Sequence, residues 1–184
     1  MNKETSNRRS QFLHWGLAIF GIAAWLTGDN ADDGFSSNGF LLHLYLGLAV
    51  FIFIVSRFAA GIFSHGKLSF KGWTYFNRQQ WRMAAEDIGQ LIRLKLPQRD
   101  IHQGIAGLVQ FSGLILFLWM AASGTTIFLL QNSTGSALFE AVEEGHEVGE
   151  ALIPLFLILH VGAVIVHTLS GDPVWKSMVK KDAS

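Results

Sequence analysis

Four histidines in apolar surroundings, His14, His43, His146 and His160, are the residues whose type and spacing could do chemistry. His146 and His160 stand 14 residues apart, so on one helix they share a face within roughly 40° and lie about 21 Å apart along its axis. That spacing suits two stacked haems better than one metal ion. Imidazoles within a lipid-embedded helix are costly and commonly face the bundle interior, where they bind a cofactor, relay protons or bond another helix. Two axial imidazoles saturate an iron, which disfavours substrate binding at the metal and favours electron transfer. Zinc would need more ligands at one level than these histidines offer. The chain has no cysteine, which removes disulfides, thiolate ligands and the CxxCH attachment of a c-type haem and argues against iron–sulfur clusters. Any metal must rest on histidine, and any haem must be held non-covalently.

The elements that must position these residues are membrane helices. The chain has 184 residues, half of them hydrophobic, and a mean hydropathy of +0.33, too apolar for an ordinary soluble domain. Four apolar runs, roughly 11–28, 40–63, 104–130 and 149–170, are long enough to cross a hydrocarbon core of about 30 Å. The first follows Arg8 and Arg9 but ends in WLTGDN without a small-residue cleavage pattern, and it carries His14. It is read as a helix and not as a signal peptide.

The formal net charge is zero, yet its distribution is one-sided. Lys3, Arg8 and Arg9, then Lys67, Lys71, Arg78, Arg82, Arg93, Lys95 and Arg99, then Lys176, Lys180 and Lys181, make up every Lys and Arg but Arg57. The remaining two loops have none and are acidic, around Asp29, Asp32 and Asp33 and around Glu140, Glu143, Glu144 and Glu147. By the positive-inside rule both termini are cytoplasmic and the acidic loops face outward. Between the second and third runs, WTYFNRQQWRMAAEDIGQLIRLKLP sets Trp81, Ile88, Leu91 and Leu94 at helical spacing among basic residues, as expected of a helix lying on the inner membrane surface. The fold class is therefore all-α: a multi-pass integral membrane four-helix bundle, a single domain over 1–184, with an interfacial amphipathic helix between helices two and three. No repeat, low-complexity segment or Gly-rich phosphate loop stands out, and nucleic-acid binding has no support.

Depth counting pairs the histidines. His14 lies about 20 Å below the outer end of the first helix and His160 about 18 Å below Val148, so the two meet at one level. His43 sits about one turn inside helix two and His146 just above the apolar start of helix four, offset by roughly 9 Å before tilt. The competing arrangement, His43 with His160 and His14 with His167, accumulates about 20 Å of mismatch against about 11 Å, so the first is preferred. His167 is read as an interfacial histidine bonded to a carbonyl or water. His65 is placed just beyond the inner end of helix two, and His102 is given a capping or interfacial role ahead of a quinone contact.

Gly47, one turn after His43 on the same face, and Gly21, two turns beyond His14, either make room for a porphyrin or allow close helix packing. Arg57 lies about 21 Å deeper than His43 on nearly the same face. There it either neutralises a haem propionate or binds a quinone oxygen, or else snorkels to the cytoplasmic interface.

The segments RRSQFLHWGLAIF with WLTGD, HLYLGLAVFIFIVSRF, GHEVGEALIPLFLILHVGAVIVH and GDPVWKSMV resemble the bacterial cytochrome b561 family. That family includes the b-type cytochrome subunit of nickel–iron hydrogenases and the gamma subunit of formate dehydrogenase. The likeness runs through all four helices and is weak in the middle loop. It implies a bundle in the bacterial inner membrane holding two b-type haems, the inner on His14 and His160 and the outer on His43 and His146. It also implies electron exchange between a redox partner and the quinone pool. The chain departs from the pattern in its longer basic loop after helix two and in the additional His167.

The expected function is thus electron transfer across the bilayer between an outer redox partner and quinone. The acidic outer loops suit a basic partner such as a cytochrome c or another redox subunit. Two alternatives stand beside it: a self-contained oxidoreductase passing electrons from a small donor to quinone, and, from another class, a haem-free transporter or an anchor for a soluble complex. Transporters often show inverted repeats or broken helices, and neither is detected.

Overall fold

A computed structural model of the chain describes residues 3–31, 34–64, 68–71, 74–99 and 102–179. His65, Lys67, Asp32, Asp33, Lys180 and Lys181, used in the sequence reading above, lie outside the described residues. The described residues form α1 (Lys3–Leu26), α2 (Asn38–Phe63), α3 (Arg78–Ile92), α4 (Gly104–Leu129), α5 (Ala137–Leu169) and the four-residue α6 (Lys176–Val179), with two short 3-10 turns. No strand occurs among them.

By length and composition, three of these helices, α2, α4 and α5, can cross a membrane. The expectation of four spans is met for these three. α1 is 24 residues long, but its first turns, KETSNRRSQ, are polar, and this dilutes the apolar run that follows.

The helix ends follow local chemistry. Ser37 accepts the Phe40 N–H at 3.0 Å and starts α2, and Asn77 accepts the Gln79 N–H at 3.0 Å and starts α3. Ser136 accepts the Phe139 N–H at 3.2 Å and starts α5. Each satisfies an amide that the first helical turn leaves without a partner. With its N-terminus set by Ser136, α5 begins 12 residues before the apolar run expected at 149. The acidic stretch EAVEEGHEVGE is helical, so His146 lies within the helix and not above its start.

α4 is capped differently. Gln103 at its N-cap makes no side-chain bond; instead the Asp87 carboxylate, from α3, accepts the Ile105 N–H at 3.0 Å. Asp87 also pairs with Arg99, and Arg99 reaches Glu86 at 2.9 Å. Hydrogen bonding to Asp87, then to Glu86, holds the Arg99 guanidinium pKa above its ordinary value. Gln80 Nε2 donates to the carbonyls of His102 at 3.1 Å and Gly104 at 3.2 Å. Gly104 has φ +61°, and a Cβ there would collide with the Asp87 carboxylate, so a glycine is required twice over.

These contacts invert the usual amphipathic helix. The buried residues of α3 are Gln80, Ala84 and Asp87, while Trp81, Ile88, Leu91 and Ile92 are exposed. Polar groups tie α3 to the first turn of α4 and apolar groups point outward, the arrangement expected of a helix seated at a lipid boundary.

The long helices pack in sequence, α1 on α2, α2 on α4 and α4 on α5, with α5 standing off from α1 and α2. Leu17, Val50, Ile54, Phe117 and Ala121 form the buried core, with Phe53 and Phe156 against it. The segment after α2 folds back under the bundle. Phe70 N–H donates to the Gly61 carbonyl at 2.9 Å, Leu68 is 1% exposed, and Phe70 sets its ring against Phe58 and Phe111.

Because Asp87 is the buried node joining α3 to α4, Asp87→Ala is expected to cost on the order of 2 kcal/mol through the orphaned Ile105 amide and the loss of one of the two carboxylate partners of Arg99. Glu86→Ala, losing exposed pairs, should cost roughly 0.5 kcal/mol or less. Thermal unfolding of both variants in detergent checks this order.

Candidate functional site

Where α5 stands off from α1 and α2, histidines face one another across the gap. His43 on α2 and His146 on α5 have ring centroids 6.2 Å apart with planes at 85°. His14 on α1 and His160 on α5 have centroids 6.1 Å apart with planes at 49°. The structure thus brings together the preferred pairs and not the competing ones.

These separations can be tested against one metal ion held between each pair. An imidazole–metal bond of about 2 Å plus roughly 1 Å from nitrogen to ring centre, doubled, gives about 6 Å. Both pairs fit this span. No group of three or more His, Cys, Asp or Glu able to hold a metal occurs among the described residues. Each facing pair would offer a metal ion two imidazole ligands.

Hydrogen bonds set the outer rings. His43 Nδ1 lies 3.0 Å from the Ala24 carbonyl, an acceptor only, so Nδ1 carries the proton and Nε2 keeps its lone pair. Thr27 Oγ1, 3.5 Å from the same nitrogen, directs its own proton to the carbonyls of Ala23 and Ala24 at 2.9 Å each. His146 Nδ1 lies 2.8 Å from Ser123 Oγ on α4. An open cavity lies beside this pair. Gly21, Trp25, Gly47, Phe117, Met120 and Glu150 contribute to its wall.

Gly47 and Gly21 differ. A Cβ on Gly47 would meet nothing within 4 Å, so no neighbouring helix demands the glycine and its effect is to leave the cavity open. A Cβ on Gly21 would run into the Phe117 ring, which is close packing as well as cavity wall. Glu150, one turn beyond His146, is a carboxylate inside the fourth apolar run that the sequence reading passed over. Its helical spacing from His146 was the available signal. Ser123 was missed as well, since nothing in AASGTT marks it as facing a histidine on another helix.

At the inner level Phe156 stacks on His160, with centroids 5.4 Å apart and planes at 16°. Trp15 sets its edge against His14 at 5.7 Å and donates its indole N–H to the Met178 carbonyl at 3.0 Å. Phe117 and Phe156, 6.0 Å apart, lie between the two levels. Arg57 is 9% exposed. Its Nη1 donates to the Leu68 carbonyl at 2.9 Å and its guanidinium lies 4.9 Å from the Phe70 ring centre. It is turned into the folded-back segment after α2.

Two other described histidines stay apart from these pairs. His102 precedes α4 and bonds Gln110 Oε1 through Nδ1 at 2.8 Å. His167, near the end of α5, has Nδ1 3.4 Å from Asp172 Oδ2.

The sequence model of one family, described as prokaryotic cytochrome b561, matches residues 6–181. No curated protein and no solved structure matches the chain at a significant level. A match over nearly the whole length, on a chain with three membrane-length apolar helices and two facing histidine pairs, settles membership. The chain belongs to the prokaryotic cytochrome b561 family, multi-pass bacterial membrane proteins that carry b-type haem and transfer electrons.

Proposed function

We propose that this protein is a di-haem membrane cytochrome that moves single electrons across the bilayer between an outer redox partner and the quinone pool. The observation that carries this reading is the pair of histidine separations, 6.1 and 6.2 Å, each of one-metal length and about 21 Å apart along α5 by helical rise. In it His14 and His160 hold the inner haem, His43 and His146 hold the outer haem, and both termini are cytoplasmic by the charge distribution. α1 crosses the membrane as the fourth helix, since His14 must reach the level of His160. Quinone as one end of the path is supported by the family resemblance, and a basic or other redox protein at the other end by the acidic outer loops.

Bound haem supplies one-electron redox chemistry, and two imidazole ligands leave its iron without an open position. The chain does the rest. Ala24 and Ser123 accept the Nδ1 protons of His43 and His146 and leave the Nε2 atoms for metal. Leu17, Val50, Ile54 and Phe117 keep the space between the levels apolar, so water is excluded from the route. Gly47 leaves the outer cavity unfilled, and Arg57 sets a positive charge toward the inner end of the bundle.

A dithionite-reduced minus oxidised spectrum with pyridine-haemochrome quantitation is expected to give two b-type haems per chain; a folded, colourless preparation would sink the reading. Single His→Ala changes at His14, His43, His146 and His160 should each lower the count from two to one, whereas His167→Ala should leave both. Loss of a haem from His167→Ala with retention in His160→Ala would overturn the inner pairing. Gly47→Leu, filling open space beside His43, should deplete the outer haem by about tenfold or more at limiting haem, and the same pigment assay reads it out.

A further inference from the structure

α4 contributes no histidine to either facing pair, yet Trp119, Ser123 and Gly124 reach His146 or the residue before it. Ser123 Oγ lies 2.8 Å from the Trp119 carbonyl four residues back, the usual back-bond of a helical serine. A hydroxyl has one proton, and a carbonyl only accepts. With that proton directed to Trp119, the oxygen meets His146 Nδ1 at 2.8 Å as an acceptor. Nδ1 therefore carries the hydrogen, and the Nε2 lone pair is left for a metal.

The same turns fix the ring in place. Trp119 Nε1 donates to the carbonyl of Gly145, the residue before His146, at 3.0 Å. Gly124 lies so close to the imidazole that a Cβ there would stand 3.1 Å from Cε1. Ser123 thus bonds the ring's polar edge while Gly124 lies beside the ring.

We propose that Ser123 is a positioning residue for the outer haem centre: its hydroxyl fixes the tautomer and orientation of His146 and, by accepting from Nδ1–H, makes this ligand a stronger donor to iron. The proposal rests on the reading that His43 and His146 hold a haem. A better-donating imidazole stabilises the oxidised iron, so Ser123 holds the outer haem at a lower reduction potential than it would otherwise have. His43 sets a contrast, because its Nδ1–H goes to a main-chain carbonyl, that of Ala24, which no side-chain substitution removes.

The test is a spectroscopic redox titration of the purified holoprotein, resolving two midpoints, on wild type, Ser123→Ala, Ser123→Thr and His146→Ala. The midpoint missing in His146→Ala identifies the outer haem. Ser123→Ala is expected to raise that midpoint and leave the other in place, and Ser123→Thr, which keeps a hydroxyl, to hold the wild-type value. If Ser123→Ala sheds one haem, retention of both by Ser123→Thr supports the role equally. Unchanged midpoints in Ser123→Ala, an equal displacement of both, or the same shift or haem loss in Ser123→Thr would overturn it. Fewer than two haems in wild type would overturn the two-haem reading first, and this inference with it, before any variant is compared.

Discussion

An imidazole within an apolar membrane helix must find a polar partner, and in this chain that requirement governs how the helices are arranged. α5 carries His146 and His160 on one face and turns that face toward α1 and α2, yet its close packing is with α4. The separation between α5 and the first two helices is spanned by the facing histidines. A bundle sealed by direct side-chain interdigitation here would leave no such separation.

The bundle is closely packed in its middle and open beside His43. Leu17, Val50, Ile54, Phe117 and Ala121 close the middle, while Gly47 keeps the wall beside His43 free of side chain. On the side of the bundle where α2 ends and α4 begins, two separate devices hold the periphery. α3 is fastened by Gln80 and Asp87 to the first turn of α4, and the segment after α2 is fastened by Arg57 and Phe70. Both use buried polar or charged groups, Asp87 and Arg57 among them, whose bonds to other segments compensate their removal from water.

Much of this was legible in the sequence for one reason: hydrophobic runs with sharp ends report helices well. The expected runs at 40–63 and 104–130 correspond to α2 (Asn38–Phe63) and α4 (Gly104–Leu129), and the histidine pairing by depth agrees with the facing rings. α5 was misjudged at its start because hydropathy is blind to a helix that emerges from the apolar layer. Glu140, Ala141, Glu143 and Glu144 favour helix as well as water, and Ser136 supplies the cap. The exposed apolar residues of α3 were visible as a periodic stripe, but nothing in the spacing of Gln80 and Asp87 marked that polar stripe as packed against another helix. Only the docking of α4 shows it to be buried. Ser123 was missed for the same kind of reason, since its significance lies in the His146 ring that stands across from it.

The bond from Trp15 to the Met178 carbonyl ties the chain's two ends together beside the inner pair. Trp15 is the next residue after His14 and also rests its ring on it, so the tail following α5 is mechanically continuous with an inner-level histidine. A displacement of residues 175–179 would therefore reach that imidazole through Trp15.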